Sequence, residues 1–199
     1  MITRILSRRQ KIGKKDKPLF LWEPVPDVCS PDDWEACILA MRMVDVTSPN
    51  INEAARFLGQ TIDEEQPFSK FKVNVENLAR EYIVHFGDHE QRRAAVFRCG
   101  RHGCLVATRS MMEWLPAYHQ TAEMVVDPTG GGNAFCGGFC AGWVHSHGDL
   151  RTAAAYGNIA ASFVIEQLGL PRLDYGAESE MWNGDAVDRR LVTYKQICG

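Results

Sequence analysis

The sequence lacks the marks of several large protein classes. No apolar run approaches the roughly 20 residues that cross a bilayer, and no apolar leader follows the first methionine, so neither a membrane span nor a signal peptide is expected. Charge of one sign is not in excess. Lys and Arg number 22 against 25 Asp and Glu, a net charge of -3, which argues against a nucleic-acid or other polyanion partner. The aromatic residues are not interleaved with a basic patch, as a single-stranded nucleic-acid groove would require. The seven cysteines cannot close a complete disulfide framework because their number is odd. Several lie in apolar runs where a thiol behaves as a small hydrophobe. That usage points to a reducing, intracellular and cytoplasmic setting. Paired CxxC knuckles are missing, and with them the signature of structural zinc. Internal repeats and low-complexity tracts are absent. The glycine-rich stretch near residue 130 lacks the GK[ST] ending of a Walker A loop.

What is present suits one α/β domain with tails. Apolar residues make up 45% of 199, enough for a real core. Residues 1–17, MITRILSRRQKIGKKDK, read as a basic N-terminal tail. PLFLWEP, 18–24, reads as a short buried strand ended by proline. Ser30 and Asp33 then suit a capping box with Pro31 in the first turn, and Trp34, Ile38 and Met41 share a helix face. A strand is expected at 44–48, a short helix at 50–59 and a longer helix at about 74–84. A pair of strands follows at 94–100 and 103–109, with another at 123–127. Helices are expected over 133–145 and 150–168, the second ended by Gly169 and Pro171. Residues 171–199 read as a polar, weakly patterned C-terminal tail. This order fits helices layered on a largely parallel sheet.

The most informative stretch is DPTGGGNAFCGGFC, 127–140. Gly130, Gly131 and Gly132 permit positive φ and close backbone approach to a ligand. A helix beginning near Asn133 would aim its first free N–H groups into the loop, and such an end binds anions. The plainer reading is a glycine turn with Asn133 as an ordinary cap. VDVTSPNINEAARFLG, 44–59, places Asn50 at a helix start with Glu53 three residues on, which is by itself a good capping box. RCGRHGC, 98–104, carries Gly100 and Gly103 in a spacing that a β-turn alone would explain. Asn158, within AAAYGNIAASFV, suits a helix-packing amide.

Taken together, these segments resemble the PfkB-type, ribokinase-like carbohydrate kinases. The signature of that family reads approximately Asp-Thr-x-Gly-Ala-Gly-Asp-x-Phe. Asp127, Thr129, Gly130, Gly132 and Phe135 match it, Pro128 and Gly131 replace its Thr and Ala, and Asn133 replaces its second Asp. The resemblance implies a three-layer α/β/α fold and ATP-dependent phosphoryl transfer to a sugar or related hydroxyl compound, with Mg²⁺. It implies an anion hole at Gly130, Gly131 and Gly132, with Asn133 at the position of the family's base. Asn50 and Glu53 would organise Mg²⁺ indirectly through water and phosphate. Gly100, Gly103 and Asn158 would lie at the nucleotide. WEPVPDVCSP, 22–31, with VDVTSPN and DPTGGGN, resembles a fungal PfkB-like subgroup. The matched segments place the resemblance at residues 18–170, as the C-terminal half of such a domain, with the N-terminal part of the sheet lacking. An amide has no accessible basic pKa, so a second reading stays open: a catalytically inactive nucleotide-binding or protein-interaction module.

Overall fold

The structure, a computed structural model, describes residues 1–14, 17–86, 93–174 and 180–199. Its centre is a five-stranded sheet of β1 (Leu21–Trp22), β2 (Val46–Thr47), β3 (Ala94–Arg98), β4 (Cys104–Ala107) and β5 (Met112–Leu115), in that spatial order. On one face lie α2 (Trp34–Met41), α3 (Ile51–Phe57) and α4 (Phe68–Ile83). On the other lie α5 (Gly131–His145), α6 (Leu150–Ile165) and α7 (Val187–Cys198). The alternation along β3 divides the core. Ala95 and Phe97 face Met41, Phe57, Phe71 and Tyr82, whereas Ala94 and Val96 face Phe135, Phe139, Ile159 and Phe163. This is the expected three-layer arrangement.

The sheet is mixed, which corrects the expectation of a largely parallel one. β1–β2 and β2–β3 pair in parallel, while β3–β4 and β4–β5 are antiparallel. The reason is local. Gly100 and Gly103 both take positive φ, and Cys99 N–H donates to Gly103 O at 2.7 Å, so β3 turns directly into β4 with no crossover helix. β5 extends the same meander and was not anticipated from the sequence.

Three further differences concern the flanks. Residues 2–11 form helix α1, with none of its residues buried. Residues 123–127 do not form a strand. Ala122–Met124 is a 3₁₀ turn, and Val126 and Asp127 N–H donate to Ile165 O at the end of α6, so this segment is tied to a helix end rather than to a strand. The C-terminal segment is not featureless. Val187, Leu191, Tyr194 and Cys198 form an apolar stripe on α7 that packs into the second core. A two-stranded ribbon, β6 (Leu173–Asp174) with β7 (Met181–Trp182), precedes it. Among the described residues no helix is long and apolar enough to cross a membrane.

Candidate functional site

The glycine loop opens α5. Asp127 accepts a hydrogen bond from Thr129 N–H at 2.9 Å. That bond, together with one from the Thr129 side chain, holds the Asp127 carboxyl below its ordinary value. Gly130 caps the helix with φ +82, a conformation that favours glycine. A Cβ on Gly131 would meet Ile165 Cγ2 at 2.9 Å, so the first turn of α5 rests directly on the end of α6. Asn133 lies in that turn and is exposed.

The decisive contact is at Gly132. A Cβ there would overlap Arg98 Nη1 and stand 3.5 Å from Glu23 Oε1. The last residue of β3 thus reaches across to the start of α5, and a side chain at 132 would have to displace the end of Arg98. Arg98 Nη1 pairs with Glu23 Oε1 at 2.7 Å, and Nη2 pairs with Glu53 Oε2 at 3.4 Å. Arg98 Nε is buried without a hydrogen-bond partner. The Arg98 side chain is 13% exposed and that of Glu53 5%, while Glu23 is more open at 30%.

Asn50 and Glu53 are placed by the capping box their spacing suggests. Asn50 Oδ1 accepts from Glu53 N–H at 2.8 Å, and Asn50 N–H donates to Glu53 Oε2 at 2.7 Å. Asn50 also bridges to Arg98 in parallel register. Burial pushes the Glu53 carboxyl above its ordinary value, although the Asn50 N–H and the Arg98 charge pull it down. Cys136, one turn into α5, feels the same cluster, and burial pushes its thiol up to about 11. It is no activated nucleophile.

Asn50, Glu53 and Gly132 are therefore brought together through Arg98, and Asn133 is the next residue of α5 after Gly132. Gly103 and Asn158 are drawn to a different place. A Cβ on Gly103 would strike Leu115 O and Pro116 C, so that glycine serves the close approach of β5. Asn158 is buried, and its Nδ2 donates to Tyr194 Oη at 2.7 Å. Tyr194 in turn donates to Pro116 O. These two residues meet in packing between α6, α7 and the end of β5. Gly100 sits with φ +54 near Glu64, two residues beyond Arg98. Arg98 and Glu23 complete the cluster. The signal for Arg98 was one charge ending the apolar run AAVF immediately before a glycine turn.

The residues fit a phosphate more directly than a bare metal ion. A helix N-terminus, a guanidinium and a glycine cradle all favour an anion. Glu23 and Glu53 are already engaged by Arg98, and among the described residues no group of three or more His, Cys, Asp or Glu could hold a metal. A magnesium ion would be held here through phosphate oxygens and water, the mode it prefers.

A sequence model of the pfkB family of carbohydrate kinases matches residues 5–172. This corrects the expectation that the likeness is confined to 18–170 as a C-terminal half. The match covers most of the chain and begins within α1, inside the segment read as a basic tail. Protein MAK32 of Saccharomyces cerevisiae is 36% identical over 96% of this chain. An uncharacterized protein of Schizosaccharomyces pombe is 32% identical over 92%. The chain spans about half the length of these relatives, 52% and 53%. Among solved structures, a ribokinase from Cryptococcus neoformans in complex with ADP aligns with 85% of this chain and 53% of its own, at TM-score 0.61 and 20% identity.

Proposed function

Because this chain belongs to the pfkB family of carbohydrate kinases, we propose that it carries the phosphoryl-binding end of an ATP-dependent kinase acting on a sugar or related hydroxyl compound. The observation that supports this best is the convergence at Gly132, where the start of α5, Arg98 and the Asn50–Glu53 cap meet. Bound ATP supplies the phosphoryl group and Mg²⁺ neutralises its oxygens. In such transfers positioning and electrostatic stabilisation do most of the work. The N–H groups of the first turn of α5 would hold the transferred group's oxygens. Asn50 and Glu53 would orient water around the metal. Asn133 would accept a hydrogen bond from the acceptor hydroxyl and align it, without taking its proton. Gly100 would shape the turn beside the nucleotide. Gly103 and Asn158 would act behind the pocket, by fixing the β3–β4 turn and α6. The seven free thiols suit a reducing, cytoplasmic setting.

Asn133 favours one alternative, a nucleotide-binding module without turnover. A missing general base costs about 10²–10⁴ in rate. Two measurements separate the readings. Calorimetry should detect ATP–Mg²⁺ binding to the folded chain, and its absence would remove the nucleotide assignment. A phosphorylation screen over sugars and polyols should show faster turnover for Asn133→Asp than for the wild type. Binding with no turnover in either protein would select the silent module.

A further inference from the structure

We infer that Arg98 is a phosphate-binding residue of this site, and that Glu23 is the resting counter-ion an incoming phosphate displaces. The inference rests on the phosphoryl-binding reading given above. A guanidinium presents five N–H donors in a rigid fork, and here the fork is incompletely used. Nη1 meets Glu23 at 2.7 Å, Nη2 reaches Glu53 only at 3.4 Å, and Nε is buried with no partner. The side chain crosses to the start of α5 over Gly132, where a Cβ would push its guanidinium aside. The first-turn N–H groups there carry partial positive charge, although that of Gly131 is already donated to Pro128 O. Two positive groups face each other there, and Glu23 and Glu53 offset the repulsion. A phosphate would satisfy both partners at once, since its oxygens accept bidentately from guanidinium and singly from backbone N–H groups. Of the two carboxylates Glu23 is the one able to yield. It is the more exposed, whereas Glu53 is fixed in the capping box.

This arrangement predicts opposite signs for two substitutions. A ligand that must displace an internal partner binds with an affinity lowered by the fraction of competent protein. Glu23→Gln weakens that competitor and should tighten ATP–Mg²⁺ by about 3- to 10-fold. Arg98→Met removes a charged donor and should weaken it by about 10- to 100-fold, with Arg98→Lys falling between. A bridge that merely ties β1 to β3 would make Glu23→Gln neutral or harmful. Titrations use ATP–Mg²⁺ and magnesium tripolyphosphate, which lacks the base, with urea unfolding to establish that each variant is folded. Opposite shifts with both probes support the inference. If the wild type binds and both variants bind equally, or both weaken, Arg98 is structural and the phosphoryl-binding reading stands. If the folded wild type binds neither probe, both fail. Glu23→Gln keeps the test decisive should Arg98→Met not fold.

Discussion

Arg98 and Arg190 are both largely buried guanidiniums set among carboxylates, one at the mouth of the glycine loop and the other at the end of the helix that supports it. Arg190 is completed by its neighbours. Its Nε donates to Asp185 at 3.1 Å, Nη1 to Ser162 Oγ at 2.7 Å and Nη2 to Glu166 at 3.0 Å. The Phe163 ring lies 3.6 Å from its guanidinium carbon, with Tyr118 also against it. His119 and Asn183 add further contacts to Glu166. Arg98 has one short ion pair, one long one and a buried orphan nitrogen. The carboxylates record the difference. Burial raises both, but the hydrogen bonds of Arg190 and Asn183 bring Glu166 below its ordinary value, while Glu53 stays above it. A saturated cluster is a structural node. An unsaturated one beside a glycine cradle retains capacity for a ligand.

The comparison breaks most visibly at Arg190. Arg190→Met leaves Glu166 and Asp185 charged without their main partner, and unfolding in urea should show a loss of about 3–5 kcal/mol. Because Glu166 follows Ile165, which underlies Gly131, binding of ATP–Mg²⁺ should weaken as well. A stability change below about 1 kcal/mol would mean that Arg190 is no better satisfied than a surface ion pair.

Glu166→Gln should cost less, about 1.5–3 kcal/mol for charged hydrogen bonds made neutral. The sign with pH follows from the lowered carboxyl. Its contribution is present above the unfolded glutamate pKa of about 4.3 and is lost as pH falls through the lower folded value. Urea midpoints measured between neutral pH and pH 3 should therefore fall more steeply for the wild type than for Glu166→Gln.

The site was legible in the sequence where chemistry is local and hidden where it is assembled. Asn50 and Glu53 announce a capping box by spacing, and the box forms. Three consecutive glycines announce a loop that must approach something closely, and Gly132 does. What they approach could not be read, because Arg98 lies 34 positions upstream and arrives through strand pairing. Gly103 and Asn158 show the converse. Each is tightly constrained, but by Pro116 and Tyr194, which no local pattern links to them. The apolar stripe 187, 191, 194, 198 of α7 was present in the sequence at helical spacing. It was masked by the charges between its members. The segment 123–127 carried strand composition, yet its N–H groups found Ile165 O and not a neighbouring strand, a tertiary outcome that propensity does not contain.

The smallest expected effect sharpens the comparison most, because it is the same substitution at the other cluster. Glu53→Gln keeps an acceptor for Asn50 N–H, so the capping box survives. It removes a buried charge whose raised carboxyl means that ionisation costs stability as pH rises through the folded pKa. It also loses the 3.4 Å pair with Arg98. These two effects oppose each other, and the net change at neutral pH should lie within about 1 kcal/mol of zero. The pH dependence then runs opposite to that at Glu166. Going from acid to neutral pH, Glu53 should subtract stability from the wild type where Glu166 adds it, and each glutamine variant should flatten its own trend. Equal losses for Glu53→Gln and Glu166→Gln in urea would show that Arg98 satisfies its carboxylates as fully as Arg190 does, and would leave the glycine loop facing a finished structural bridge.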